Sequence, residues 1–153
     1  MRDVNVLNIS AYRFVELPDA ADWRERIRER AFAAGLKGTV LLATEGINLF
    51  LAGPADAVRG FVAWLREEPR FAPLEPKESW SESVPFGRLL VKVKREIIRM
   101  NHPAIRPQDG RAPSVDAATL ARWLDAGHDD EGRPVVTLDT RNAFEVDHGR
   151  FAG

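Results

Sequence analysis

The sequence predicts an α+β fold in which two strand-helix-strand units share one sheet. Three observations support this. Segments of apolar residues at period two recur along the first hundred residues, two segments of helical period separate them, and a polar turn joins two apolar runs near the middle. In chain order these give strand, helix, strand, strand, helix, strand, the split βαβ pattern of a ferredoxin-like (acylphosphatase-like) βαββαβ sandwich. Both helices would cover one face of the sheet and leave the other open.

The first strand is expected over Val4–Phe14, where Val-Asn-Val-Leu-Asn-Ile-Ser-Ala-Tyr-Arg-Phe alternates and Val4, Val6 and Ile9 would face a core. Leu17-Pro-Asp then opens a helix, with Asp19 as N-cap, Trp23, Ile27, Arg30, Ala31 and Ala34 near one face, and Gly35 as the stop. Arg24, Arg26, Arg28 and Arg30 interleave with Asp22, Glu25 and Glu29, the pattern of a solvated face with i to i+4 pairs; an RNA contact is the less common meaning of such a run.

Gly38–Pro54 reads as a hairpin. Val40-Leu-Leu42 and Ile47–Leu51 are the strands, Thr44-Glu45-Gly46 the turn, and Gly53-Pro54 the end. Glu45 and Asn48 are the polar side chains there, placed either to hydrogen-bond a ligand or to satisfy the turn. Pro54-Ala-Asp starts the second helix, with Val58, Phe61, Val62 and Leu65 at helical spacing, and Glu67-Glu68-Pro69 closes it. Leu74–Trp80 is a weaker strand signal because Pro76 interrupts it. Phe86–Ile98 alternates through Leu89, Val91 and Val93, so it is expected to be the last strand, with Arg88, Lys92 and Lys94 on its open face and Arg95 and Arg99 just beyond.

Composition narrows the functional classes. The 153 residues carry 22 Lys and Arg against 23 Asp and Glu, so no whole-molecule field attracts nucleic acid or membrane, and any basic site must be local. There is no Cys, which removes disulfides, thiolate nucleophiles and Cys-ligated metals from this chain. His102, His128 and His148 have no helical companion, so no metal site is expected. No segment resembles a signal peptide or a membrane span, and the expected location is the cytoplasm. Trp23, Trp64 and Trp123 fall at positions suited to packing, whereas Trp80 has Lys77 and Glu78 beside it.

Residues 1–100 thus form a first domain. Residues 101–113, with three Pro, one Gly and almost no periodicity, read as a linker. Beyond it, a helix capped by Ser114 or Asp116 would turn Leu120, Trp123 and Leu124 inward, and Pro134-Val-Val-Thr-Leu-Asp-Thr-Arg141 would be a short buried strand. One helix and one strand cannot enclose a core, so residues 114–153 are expected to be the opening part of a larger domain.

Val135-Val-Thr-Leu-Asp-Thr-Arg-Asn-Ala-Phe-Glu-Val-Asp-His-Gly-Arg-Phe-Ala-Gly153 resembles the start of an α/β rhodanese domain. Ala43-Thr-Glu-Gly-Ile-Asn48 and Val91-Lys-Val-Lys-Arg-Glu-Ile-Ile98 resemble the N-terminal domain of the rhodanese-containing tRNA uridine hydroxylases, in the same order along the chain. The resemblance implies an enzyme that hydroxylates C5 of the wobble uridine of certain tRNAs, with molecular oxygen as co-substrate and no bound cofactor. It also implies that the reactive Cys lies in a rhodanese loop beyond Gly153, that this chain holds no catalytic residue, and that it is a portion of a longer enzyme. Asp139, Arg141 and Glu145 match rhodanese positions that organise the structure around that loop.

The expected role of the first domain is to hold the tRNA anticodon loop with its wobble base unstacked. Arg88, Lys92, Lys94, Arg95 and Arg99 are the candidate RNA-binding residues, with Lys37, Glu45 and Asn48 as secondary ones; the competing meaning of the basic strand is an edge kept charged against aggregation. Two rival functions differ in class. An acylphosphatase-like hydrolase would bind phosphate in a Gly-containing loop after the first strand, but Phe14-Val-Glu-Leu-Pro18 is acidic and lacks Gly. A non-enzymatic RNA-binding or subunit-pairing module is the other.

Overall fold

The protein is described by a computed structural model over residues 5–97 and 112–138, together with residues 104, 106, 109, 147 and 149. It divides into two compact units, residues 1–111 and 112–153.

The first unit is built from β1 (Val6–Phe14), α1 (Ala20–Ala33), β2 (Lys37–Ala43), β3 (Gly46–Pro54), α2 (Ala55–Leu65), β4 (Lys77–Ser81) and β5 (Leu89–Val93). The sheet order is β4-β1-β3-β2-β5, antiparallel except that β5 runs parallel to β2. Strand alternation buries Leu7, Ile9 and Ala11 of β1, Val40 and Leu42 of β2, Ile47, Leu49 and Leu51 of β3, and Val91 of β5. These meet Ala20, Trp23, Ile27 and Ala31 of α1 and Val58, Phe61 and Leu65 of α2 in one core. Each fully buried Leu or Phe contributes about 1.5–3 kcal/mol. Helix α1 lies over β2 and β5, and α2 over β1 and β3.

Several expectations are corrected. The inward row of β1 is Leu7, Ile9 and Ala11; Val6 has the opposite parity and is half-buried on the far face, while Val4 lies outside the described residues. Arg30 is exposed, because its ring partner Trp64 sits at the rim of the core, 5.5 Å from the guanidinium. The segment around Phe86–Ile98 shortens to β5 and is a fifth strand. The fourth place of the ferredoxin-like pattern belongs to β4, which begins just after Pro76, the residue that cannot donate to a ladder.

Strands β4 and β5 occupy opposite edges. Ser81 pairs with Val6 and Leu89 with Gly38, so residues 82–88 cross along the end of the sheet where β1 and β2 begin. Four strand spacings are about 19 Å, within the roughly 24 Å that seven extended residues reach. On α1, Arg24 Nε donates to the Val91 carbonyl at 3.1 Å, capping an edge group of β5.

The hairpin is tightly constrained. Gly38 has φ +132° and Gly46 φ +144°, and a Cβ would stand 2.0 Å from the Phe50 carbonyl oxygen and 2.0 Å from the Arg13 carbonyl oxygen, respectively. A second constraint ties the start of α1 to the segment after α2. Arg70 donates through Nη1 and Nη2 to the two carboxylate oxygens of Asp19 at 2.6 and 3.0 Å, and through Nε to Glu68 at 2.8 Å. Asp19 is the N-cap of α1, but its side chain is spent on Arg70 and makes no cap bond. Phe71 and Leu74 are buried beside this clamp.

In the second unit, α3 (Ala117–Ala126) is capped by Asp116, which accepts from the Thr119 N–H at 2.9 Å, and ends at Gly127 with φ 78°. Asp129 accepts from the N–H groups of Glu131 and Arg133 and from Arg133 Nε, which together hold its carboxyl below the usual range. Hydrogen bonds from Arg122 pull Asp130 down to about 2. No residue of α3 is buried, and Leu124 is exposed, against expectation. The expected buried strand is also absent from the described residues. His128 and Pro134 make one isolated bridge, and Val136 and Leu138 are 88% and 84% exposed, because no described strand flanks them. Residues 139–141 lie outside the described residues.

Gly46→Ala is expected to lower unfolding stability by about 1–3 kcal/mol, since the conformation and the close carbonyl both exclude a Cβ. Gly60→Ala, inside α2 with nothing near its Cβ position, is expected to raise it by about 0.5–1 kcal/mol. Urea unfolding followed by circular dichroism measures both. Arg70 holds the Asp19 and Glu68 carboxyls below their ordinary values, chiefly through its hydrogen bonds. The stability this contributes is present above the unfolded carboxyl range and is lost as pH falls through the lowered values. Arg70→Ala should therefore cost about 1 kcal/mol at neutral pH, as a part-exposed network does. That difference should shrink as pH falls below the ordinary carboxyl range; melting temperatures at a series of pH values give the check.

Candidate nucleic-acid interface

The sheet face turned away from α1 and α2 is the candidate site. Register assigns its residues: Val6, Asn8, Ser10, Tyr12 and Phe14 from β1, Lys37, Thr39, Leu41 and Ala43 from β2, and Asn48, Phe50 and Ala52 from β3. The edge strands add Lys77, Ser79 and Ser81 from β4, and Leu90 and Lys92 from β5. Among these positions there are three lysines and no carboxylate.

Cross-strand rows follow from the pairing. Tyr12, Asn48, Leu41 and Lys92 form one row, and Lys77, Ser10, Phe50, Thr39 and Leu90 the next. Tyr12 is 51% exposed and Phe50 43% exposed, both on central strands. Tyr12 also meets the half-buried Phe14 edge to face, with ring centroids 5.7 Å apart. Reading the sequence in search of basic residues missed these two rings. The signal was nevertheless there, because inward Leu7-Ile9-Ala11 and Ile47-Leu49-Leu51 leave Tyr12 and Phe50 on the opposite parity.

The sequence-derived candidates separate into groups. Lys37 and Lys92 lie on the open face, and Asn48 lies between Tyr12 and Leu41, half-buried. Arg88 and Lys94 flank β5 and are exposed; their backbones extend its pairing, the Arg88 carbonyl accepting from Gly38 and the Lys94 N–H donating to Leu42 at 2.7 Å. Arg95 follows, also exposed. Glu45 departs from this group, for its carboxylate accepts the Ile97 N–H and so holds the chain beyond β5 against the hairpin turn. Arg99, Asp139, Arg141 and Glu145 lie outside the described residues, as do His102 and His148.

The arginines of α1 serve the other layer. Arg26 stacks 3.9 Å over the Trp23 ring, and a shallow groove of about 320 Å³ is lined by Arg26, Glu29, Arg30, Ala33 and Trp64. Trp80 points to this side too, 5.8 Å from the Arg59 guanidinium. Among the described residues, no helix is long and apolar enough to cross a membrane.

Two N–H groups of the loop after β1 are turned onto the hairpin. Val15 N–H donates to the Glu45 carbonyl at 2.9 Å and Leu17 N–H to the Thr44 carbonyl at 2.8 Å. Position 18 is a proline.

Residues 6–97 match the family described as "UPF0176 acylphosphatase like domain". The chain belongs to this family. Within and beyond that UPF0176 domain, the chain is 69% identical over 147 residues to a Delftia acidovorans protein named "tRNA uridine(34) hydroxylase", covering 96% of this chain and 56% of that protein. It is 64% identical over 148 residues to a Bordetella avium protein of the same name, covering 97% of this chain and 61% of that one. The chain therefore spans little more than half the length of those relatives. The solved structure "BlrP1 BLUF" overlays on the chain with a TM-score of 0.51 at 16% identity, covering 86% of this chain and 95% of that chain. That overlay concerns the fold alone.

With the Val15 and Leu17 N–H groups committed to the hairpin turn and no Gly in the loop, this UPF0176 domain is expected to hydrolyse acetyl phosphate no faster than buffer. A phosphate-release assay at high protein concentration tests it, and measurable turnover would restore the hydrolase reading.

Proposed function

We propose that this chain is the substrate-holding portion of an oxygen-dependent tRNA uridine hydroxylase that forms 5-hydroxyuridine at the wobble position. The observation that carries the reading is the 64–69% identity, over nearly the whole chain, to proteins named tRNA uridine(34) hydroxylase. A carboxylate-free sheet face with lysines at Lys37, Lys77 and Lys92, continued by Arg88, Lys94 and Arg95, is in keeping with it.

In this reading the first unit binds the anticodon arm through phosphates, which fix position without reading sequence. Arg99 belongs to the same basic set, and Asn48 joins it as a secondary contact. Residues 101–113 are the linker to the opening of a rhodanese domain, in which Asp139, Arg141 and Glu145 organise the backbone. The chain contains no Cys, so a thiolate or persulfide step is carried by other residues of the full-length enzyme. Molecular oxygen is the co-substrate, no cofactor or metal is bound, and the reaction takes place in the cytoplasm.

Replacing Arg88, Lys92, Lys94 and Arg95 together by Ala is expected to weaken tRNA binding and to flatten the dependence of log affinity on log salt by about 0.7–0.9 for each phosphate contact removed. Filter binding across a salt series reads both quantities. Unchanged affinity and slope would remove this surface from the tRNA site.

A further inference from the structure

We propose that Tyr12 and Phe50 form a stacking platform for two unpaired bases of a single-stranded RNA whose phosphates run past Lys37, Lys77 and Lys92. The proposal rests on the reading of this chain as a tRNA holder and names how that site grips its ligand.

The two rings are diagonal neighbours across β1 and β3. Tyr12 pairs with Asn48 and Ser10 with Phe50, which separates the residues by roughly 7–8 Å. A ring left half in water on a central strand forgoes the gain of burying its apolar area. Phe14, Leu41 and Leu90 continue the patch as half-buried apolar neighbours on the same face. A contiguous apolar patch with a polar rim marks a binding surface.

Charge selects the occupant. The lysines stand on three different strands, β2, β4 and β5, so they bracket the rings from both sides of the sheet. No open-face strand position carries a carboxylate. A polyanion that also offers flat π-faces matches both features, and a paired duplex does not, because its bases are stacked and closed to the rings. Asn48, directly opposite Tyr12, brings an amide to the edge of a base stacked there. Wobble-base chemistry needs an unstacked anticodon loop, and the same surface would keep its neighbouring bases splayed.

The test uses the 153-residue chain, a short labelled oligouridine, the matching duplex, and tRNA, with affinity read by fluorescence anisotropy over a salt series. Tyr12→Ala and Phe50→Ala should each weaken oligouridine binding about tenfold without altering its salt slope, while Tyr12→Phe and Phe50→Tyr keep wild-type affinity. Lys37→Ala with Lys92→Ala should lower the slope, and Arg26→Ala with Arg30→Ala, on the helix side, should change nothing. Melting temperatures confirm that each variant is folded. Ring variants that bind the oligomer like wild type, a Tyr12→Phe loss as large as that of Tyr12→Ala, or equal affinity for the duplex would each overturn the platform. Loss of self-association on removing the rings, with no RNA bound by the wild type, would assign the face to a second copy instead. Ring-independent tRNA binding that still needs Arg88, Lys94 and Arg95 would sink the platform and leave the proposed function standing. Ring-dependent oligomer binding with no preference for tRNA would do the reverse.

Discussion

The two-residue turn Thr44-Glu45 holds the first unit together at a point where three separate stretches meet. Its carbonyls accept the N–H groups of Val15 and Leu17, which pins the exit of β1, and its carboxylate accepts the N–H of Ile97, which pins the chain beyond β5. Gly46, in a conformation closed to side chains and against the Arg13 carbonyl, lets β3 approach β1 immediately after the turn. A one-residue slip there would send every residue of β3 to the opposite face. Glu45 thereby has an architectural role at the turn.

Register, once set, decides what the open face offers. Inward Ile47, Leu49 and Leu51 require outward Asn48 and Phe50, and inward Leu7, Ile9 and Ala11 require outward Tyr12. Parallel pairing of β5 with β2 then brings Lys92 beside Leu41, one strand from Asn48. The basic and aromatic elements of the face come from all five strands, and pairing brings them together. Arg24, Arg26 and Arg30 of α1 are drawn the other way, onto the edge of β5, Trp23 and Trp64 respectively.

The family relation and this geometry concern different parts of the problem. Relatives named tRNA uridine(34) hydroxylase share most of this chain, yet it spans 56–61% of their lengths. What its own residues supply is a held surface: cations at strand ends and edges, two exposed rings at the centre, and a β1 loop tied by Val15 and Leu17 to the hairpin turn. In the proposed function, such a surface positions a nucleic acid through its phosphates.

By itself the sequence determined the features whose causes are local. The hairpin with its Glu-Gly turn, the two helices with their apolar stripes, and a third helix capped at Ser114 or Asp116 follow from period, turn chemistry and capping within a few residues. The inward row of β1 was not decided by period, because Val4 and Val6 compete with Leu7, Ile9 and Ala11 as a pattern of the opposite parity. Only the tertiary structure decided that Lys77–Ser81, with one apolar residue among five, is the strand beside β1, and that Leu89–Val93 closes the far edge parallel to β2. Edge strands need little hydrophobic pattern, and their partners lie dozens of residues away, so period carries almost no information about them. The rings and lysines became one surface for the same reason, since strand pairing brings them together across distances that no spacing in the sequence records.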